Sequence, residues 1–309
     1  MVIRRIAVFI VIACLPVLTD CLSPGGLSGS GPSETDGFVE VSVGVGHNLG
    51  LRIDGSIVAW GDNTHGECDV PEPNSDFVAV AAGINHSLGL KSDASIVTWG
   101  WNQHGQCTVP APNQDFIAID ASYDTSLGLK SDGDVRVWGI GWPTPREEHD
   151  RDQDEGSQTI AMAVGYRMVI QLQLDGAIRS RGLYPWGEHS VPESNKNFTA
   201  IAAGHDHFLA LKDDGSVTAW GDDSYGKCDV PAANSDFVAI SAGRNHSLGL
   251  RADGSIVAWG RRRYGERDVP WPNRHFAAVE AGDDFSFALK RDGTIVTWGR
   301  NAIGPWDEP

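Results

Sequence analysis

A chain of 309 residues with 24 basic and 41 acidic side chains has a formal net charge of −17. That balance argues against nucleic acid as a partner, because neutralising phosphate needs clustered positive charge. Among five cysteines no Cys-x-x-Cys pairing suggests a zinc site, and no motif calls for a cofactor.

In chain order, Arg4 and Arg5 precede an apolar run from Ile6 to Leu18 that contains Pro16. The run is too short to cross a bilayer comfortably, so residues 1–21 read as a signal peptide. Val11-Ile12-Ala13-Cys14 resembles a lipoprotein box. Cys14 is therefore the expected lipidation site, with plain secretion the alternative and Cys21 disfavoured by Asp20 before it. Residues 22–37, rich in Gly, Ser and Pro, read as a flexible tether. These features place the chain outside the cytoplasm, lipid-anchored at the envelope or secreted, touching membrane only through that lipid.

From Phe38 onward one unit recurs. Aligned on its Trp-Gly pair, the copies fall at Trp60, Trp99, Trp138, a degenerate Arg181, Trp220, Trp259 and Trp298, a period of 39 broken once by four extra residues. Each copy holds a small apolar strand (Phe77-Val78-Ala79-Val80), an alternating strand (Ser87-Leu88-Gly89-Leu90), an Asp-Gly turn and a second alternating strand ending in Trp-Gly. The turn reads as a two-residue hairpin needing positive φ, with Asp93-Ala94 as its exception. Seven small antiparallel sheets of three or four strands predict an all-β fold, a closed seven-bladed β-propeller over residues 38–309. The Ala- and Gly-rich strand is expected innermost.

Gly-x-x-His-Ser-Leu-Gly-Leu, then Asp-Gly-Ser-Ile-Val-Ala-Trp-Gly-Asp-Asn and Gly-x-Cys-Asp-Val-Pro, together resemble the regulator-of-chromosome-condensation repeat family. The period is shorter than in its eukaryotic nucleotide-exchange members and similar to that of a secreted bacterial propeller that inhibits β-lactamases. The resemblance implies a propeller used for protein recognition. It suggests a secreted or envelope enzyme as partner and an inhibitory role.

The strand order puts two loops of every blade on one face, here called the top. Residues repeated there belong to the scaffold, whereas unrepeated ones are free to serve a partner. His47, His86, His207 and His246 are repeated; they read either as a structural set or as an incomplete ring of metal-binding imidazoles. Cys68, Cys107 and Cys228 share one repeat position and are expected unpaired. The unrepeated aromatic residues are Tyr123, Trp142, Tyr166, Tyr184 and Trp186, with His205 and Tyr225 further round the rim. Arg244, Arg261, Arg262 and Arg263 with Tyr264 make a local positive patch, and Asp124 and Arg167 join the candidate surface. The expected function is non-enzymatic protein binding by a monomer. A glycan-binding or lyase/hydrolase-type propeller is the alternative; its parts would be Asp124, Arg167, His205, Asp206 and Asp284 at the channel mouth, with no recognisable catalytic motif. The segment 140–158, carrying Asp150, Asp152 and Asp154, matches a calcium loop poorly and reads as a solvated acidic loop.

Overall fold

Alternation of apolar and polar residues at period two makes strands, and the computed structural model of the chain, which describes residues 37–139, 158–166, 168–182 and 191–300, contains seven three-stranded antiparallel sheets. Strands are numbered in chain order, three to a blade. In the first blade β1 (Phe38–Val43), β2 (His47–Arg52) and β3 (Ile57–Gly61) pair in sequence order. The innermost strands of the others are β4 (Phe77–Ala82), β7 (Phe116–Ser122), β10 (Thr159–Gly165), β13 (Phe198–Ala203), β16 (Phe237–Ala242) and β19 (Phe276–Ala281). The stretch with Cys-Asp-Val-Pro or a variant of it, where a fourth strand could have formed, runs as turns and coil along residues 62–76, 101–115 and 261–275, and along 222–236 with one short 3-10 helix at Ser224–Gly226.

Packing explains the repeated residues. The phenylalanine opening an inner strand lies flat over the middle strand, so a Cβ on Gly50, Gly89, Gly128 or Gly249 would come within 2.6 Å of a ring carbon of Phe38, Phe77, Phe116 or Phe237. The degenerate fourth blade exchanges both partners: Thr159 replaces the phenylalanine and Gln171 stands where the glycine would be. Gln173 of that blade donates its Nε2 hydrogen to Thr159 Oγ1 at 3.1 Å.

Between blades the core is apolar, with Leu49, Leu51 and Ile57 of the first blade clustered against Phe77, Val80 and Trp99 of the second. Four of the seven junctions are locked by a polar relay. His47 Nε2 lies 2.8 Å from Ser87 Oγ, Ser87 donates to the Glu67 carbonyl at 2.8 Å, and Trp99 Nε1 donates to that same carbonyl at 2.8 Å. Serine has one hydroxyl proton, so the imidazole must be the donor to Ser87, which sets the Nε2–H tautomer. The pattern returns with His86 and Ser126, His207 and Ser247, and His246 and Ser286. Burial holds these imidazoles neutral, lowering His47 to about 4 and His86, His207 and His246 to about 3. The four histidines therefore serve the blade junctions, each committed to a serine one blade on. The ring closes where Trp60 of the first blade meets Phe287 of the seventh, centroids 6.2 Å apart.

The hairpin differs from the sequence expectation. Gly55 N donates to Arg52 O at 3.0 Å and Arg52 N to Ser56 O at 2.8 Å, so the loop has three residues, and only its last adopts positive φ. This is a type I turn followed by a left-handed residue. Asp54 is needed for its carboxylate, which accepts from Ser56 N at 2.9 Å and Ser56 Oγ at 2.6 Å. Ala94 does take the left-handed position, at φ 68°.

Candidate functional site

The strand direction brings both predicted loop sets to one face, where they are tied together within each blade. Asp62 N donates to Gly46 O, Trp101 N to Asn85 O, Asp222 N to Asp206 O and Arg261 N to Asn245 O, each at 2.8 Å. The inner loops are also tied from blade to blade. Ile84 N donates to Tyr123 O at 2.9 Å, Tyr166 N to His205 O at 2.8 Å, and Arg244 N to Gly282 O at 3.2 Å. The residue one or two places after the inner strand, following Gly44, Gly83, Ser122, Gly165, Gly204, Gly243 or Gly282, is thereby held at the mouth of an axial channel. One such residue per blade makes a ring of Val45, Ile84, Tyr123, Tyr166, His205, Arg244 and Asp283, all at least partly exposed.

The ring is not uniform. Tyr166 and His205 stack at 4.7 Å with 7° between their planes, and Tyr123 sets its edge against both, at 5.2 Å from Tyr166 and 4.9 Å from His205. Tyr123 has φ 51°, and its hydroxyl oxygen is buried with no hydrogen-bond partner among the described residues. Burial and the Asp283 carboxylate push this phenol well above its usual range. Across the mouth Arg244 pairs with Asp283 at 3.4 Å while staying half exposed.

The arginine patch is largely compensated. Arg261, little exposed, bonds Glu266 Oε1 at 2.9 Å and reaches Asp284. Arg262 pairs with Asp268 at 2.6 Å and Arg300 with Asp284 at 3.8 Å. Tyr264 sits among Arg261, Arg263 and Arg300, whose guanidinium carbons lie 5.2, 5.2 and 4.8 Å from its ring centroid. Tyr225, 64% exposed, stands beside Arg261 at 5.9 Å. Beyond the aromatic trio lies a second knot, in which buried Lys227 bonds Asp222 at 2.7 Å and also Asp206. Burial alone would raise the Asp206 pKa, but hydrogen bonds from His205 and Lys227 outweigh it and hold the carboxyl ionised.

Of the residues offered for acid–base work, Asp206 and Asp284 are thus engaged by Lys227 and Arg261, and Asp124 accepts a long 3.4 Å hydrogen bond from Gln106. Tyr123, Tyr166 and His205 come together as one cluster. Tyr225, Arg244, Arg261, Arg262, Arg263 and Tyr264 lie round the rim. Trp142, Arg167, Tyr184, Trp186 and Cys14 lie outside the described residues.

Sequence reading missed the channel wall. The inner-strand position that is Ala or Ser in five blades is Asp120 in the third and Glu280 in the seventh, and Glu40 replaces an alanine two residues deeper in the first. Burial pushes all three carboxyls up, Glu40 and Glu280 to about 8 and Asp120 to about 7. Aligning the copies exposes these departures, although none belongs to a motif. Cys68, Cys107 and Cys228 are free, as expected, and cap the outer loops: Cys68 N donates to Asn63 Oδ1 and Cys107 N to Asn102 Oδ1, both at 2.8 Å. Burial raises their thiols to about 11 or 12 and keeps them protonated.

No curated protein sequence matches the chain. Among solved structures, the fold is similar to the CRINKLY WD40 ectodomain of the Arabidopsis thaliana receptor kinase ACR4, at 20% identity and TM-score 0.68 over 87% of this chain and 98% of that one. It is similar to the ectodomain of the Physcomitrella patens receptor kinase CR4, at 20% identity and TM-score 0.69 over 85% and 73%. A chain from the structure of Kap60 bound to yeast RCC1 (Prp20) matches at 18% identity and TM-score 0.65, over 92% of this chain and 86% of that one. Identities this low speak for the fold alone. The repeat is more specific: the model of the regulator of chromosome condensation (RCC1) repeat matches residues 38–67, 77–106, 198–227, 237–266 and 276–302, five of the seven blades. Seven blades of one period, five of them matched, make this chain a member of the RCC1 repeat family.

Proposed function

We propose that this propeller is a non-enzymatic protein-binding module that recognises its partner through the top face, with Tyr123, Tyr166 and His205 as the centre of the contact surface. One observation carries the reading: the mouth ring is rigidly tied by backbone hydrogen bonds, yet its side chains differ from blade to blade. The scaffold needs none of them. Packed, partly exposed aromatic residues give large contact area at little entropic cost, and interfaces concentrate their energy in a few such anchors. Yeast RCC1 (Prp20), a chain of similar fold, has been solved bound to Kap60, and a protein complex formed by a similar chain supports the reading.

Affinity capture with the wild-type protein and with a Tyr123→Ala, Tyr166→Ala double variant tests this. The double variant is expected to keep its melting temperature within a few degrees and to lose the principal captured partner, since each truncated anchor costs about 2 kcal/mol or more. Retention of every wild-type partner would move the surface elsewhere. The expected partner class is a secreted or envelope enzyme, the protein acting as a monomeric inhibitor. That setting rests on export and lipidation at Cys14: Cys14→Ser is expected to release the protein from membranes, and mass spectrometry finding an unmodified mature N-terminus elsewhere would remove the anchor.

A further inference from the structure

We propose that the axial channel beneath the top-face mouth receives a primary ammonium group on a flexible alkyl stem, the side chain of a lysine presented by the bound partner. The proposal deepens the protein-binding reading and rests on it. Its basis is a set of carboxyl groups with no cation beside them among the described residues, in a cavity rimmed by aromatic rings.

The blades themselves show that the channel acids are not required by the scaffold. At the fifth position of the inner strand, a side-chain oxygen accepts from a backbone N–H on the inner strand of the next blade. Ser42 does this for Ala82 N at 3.0 Å and Ser241 for Ala281 N at 2.9 Å. Asp120 does the same for Val164 N at 2.8 Å, and its second oxygen accepts from Ala121 N at 2.8 Å. A neutral hydroxyl is enough for the bridge, and three other blades manage with alanine. Asp120 and Glu280, the latter hydrogen-bonded to Ser241, therefore bring ionisable carboxyls where a hydroxyl or a methyl group suffices elsewhere in the ring, and Glu40 adds a third carboxyl two residues further in, about 7 Å along the strand. Among the described residues no lysine, arginine or histidine sets the ionisation of any of the three, and each is perturbed chiefly by its own burial. Carboxylates removed from water without a cation are costly.

The mouth supplies a second, separate observation. Tyr123 lines the channel, and its hydroxyl is shut off from solvent with no hydrogen-bond partner among the described residues. Around it stand the faces and edges of Tyr166 and His205, and aromatic faces attract cations. Among the described residues of the mouth ring, Arg244 is the one arginine or lysine, and it is tied to Asp283 while staying half exposed. A lysine suits this passage better than an arginine, because its charge is compact and rides on a narrow four-carbon stem, whereas a guanidinium is a broad plate. Entering past Tyr123, the ammonium would meet Asp120 and Glu280 first.

The test uses the full chain and two short probes, acetyl-Gly-Lys-Gly-amide and its glutamine counterpart, titrated by NMR chemical-shift perturbation or calorimetry. Variants are taken from the protein's own blades so that they keep the fold: Asp120→Ser with Glu280→Ser, and Glu40→Ala. The lysine peptide is expected to bind with shifts centred on the mouth, the glutamine peptide to bind at least about tenfold more weakly, and the serine double variant to lose at least about tenfold of the lysine affinity. Equal binding of the two peptides, no binding of either, or unchanged binding in a folded serine double variant would overturn the proposal. Tyrosine-dependent capture of a protein without binding of the lysine probe would remove this inference and leave the protein-binding reading. Binding of the probe without such capture would do the reverse.

Discussion

Trp259→Ala is expected to remove about 3–5 kcal/mol of stability, the usual loss for a large aromatic side chain cut from a packed core. The indole is 3% exposed and packs between the fifth and sixth blades with Phe237, Ile240, Leu209 and Leu211. It also donates to the Lys227 carbonyl at 2.9 Å. That carbonyl keeps a second donor, Ser247 Oγ at 3.0 Å, so the polar loss is partial and the cavity dominates. Against a total stability of about 5–15 kcal/mol for a native domain, one such junction matters greatly. Denaturant titration of Trp259→Ala beside Trp259→Phe separates the two contributions: the phenylalanine variant should lose about 1–2 kcal/mol, chiefly the hydrogen bond. A loss below about 1 kcal/mol in the alanine variant would mean that the junctions do not carry the ring.

Stability is expected to peak close to pH 6 and to fall on both sides, for opposite reasons. The four relay histidines are neutral when folded and titrate near 3 to 4, against 6.5 when unfolded. Between those values the unfolded chain binds more protons, so their contribution is complete above pH 6.5 and is lost as the pH falls towards 3. Glu40, Asp120 and Glu280 behave in reverse. Their folded pKa values of about 7 to 8 exceed the ordinary values of 4.5, 3.8 and 4.5, so the folded state holds more protons and stability falls as the pH rises through that range towards 8. Between pH 4.5 and 6.5 four histidines oppose three carboxyls and nearly cancel. Above 6.5 the carboxyls act alone, and below 4 the histidines do, joined by turn aspartates such as Asp54, whose hydrogen bonds from Ser56 lower its pKa. Melting temperature measured from pH 3 to 9 should trace this dome. Glu280→Gln should raise it at pH 8 and leave it nearly unchanged at pH 4; no gain at pH 8 would show that the channel carboxyls are not desolvated.

Most of the architecture was legible because repetition amplifies weak signals. One blade's strands are short and ambiguous, but seven aligned copies leave a period of 39 that only a ring of small sheets accommodates. The turn was misread for a local reason: Asp-Gly suits a two-residue loop and equally a type I turn with a left-handed third residue, and only the hydrogen bonds around Arg52 distinguish them. The histidine relay was half visible. His47 and Ser87 lie one period and one residue apart, an offset that recurs in all four relays, but pairing them requires knowing that neighbouring blades face each other in that register. The arginine patch shows the limit of reading charge along a chain. Arg261, Arg262 and Arg263 are consecutive, yet two of them meet acids several residues away that fold back onto them. Glu40, Asp120 and Glu280 were overlooked because their significance lies in what the other blades have at those positions.

Recognition through the channel mouth is tested most directly by hydrogen exchange on the complex with the captured partner. Binding should slow exchange at the mouth-loop amides of Ile84, Tyr123, Tyr166, His205 and Arg244, and leave the opposite face, with the hairpins at Ile53–Gly55 and Ala252–Gly254, unchanged. Protection confined to those hairpins, with the mouth loops exchanging as in the free protein, would contradict the assignment of the recognition face.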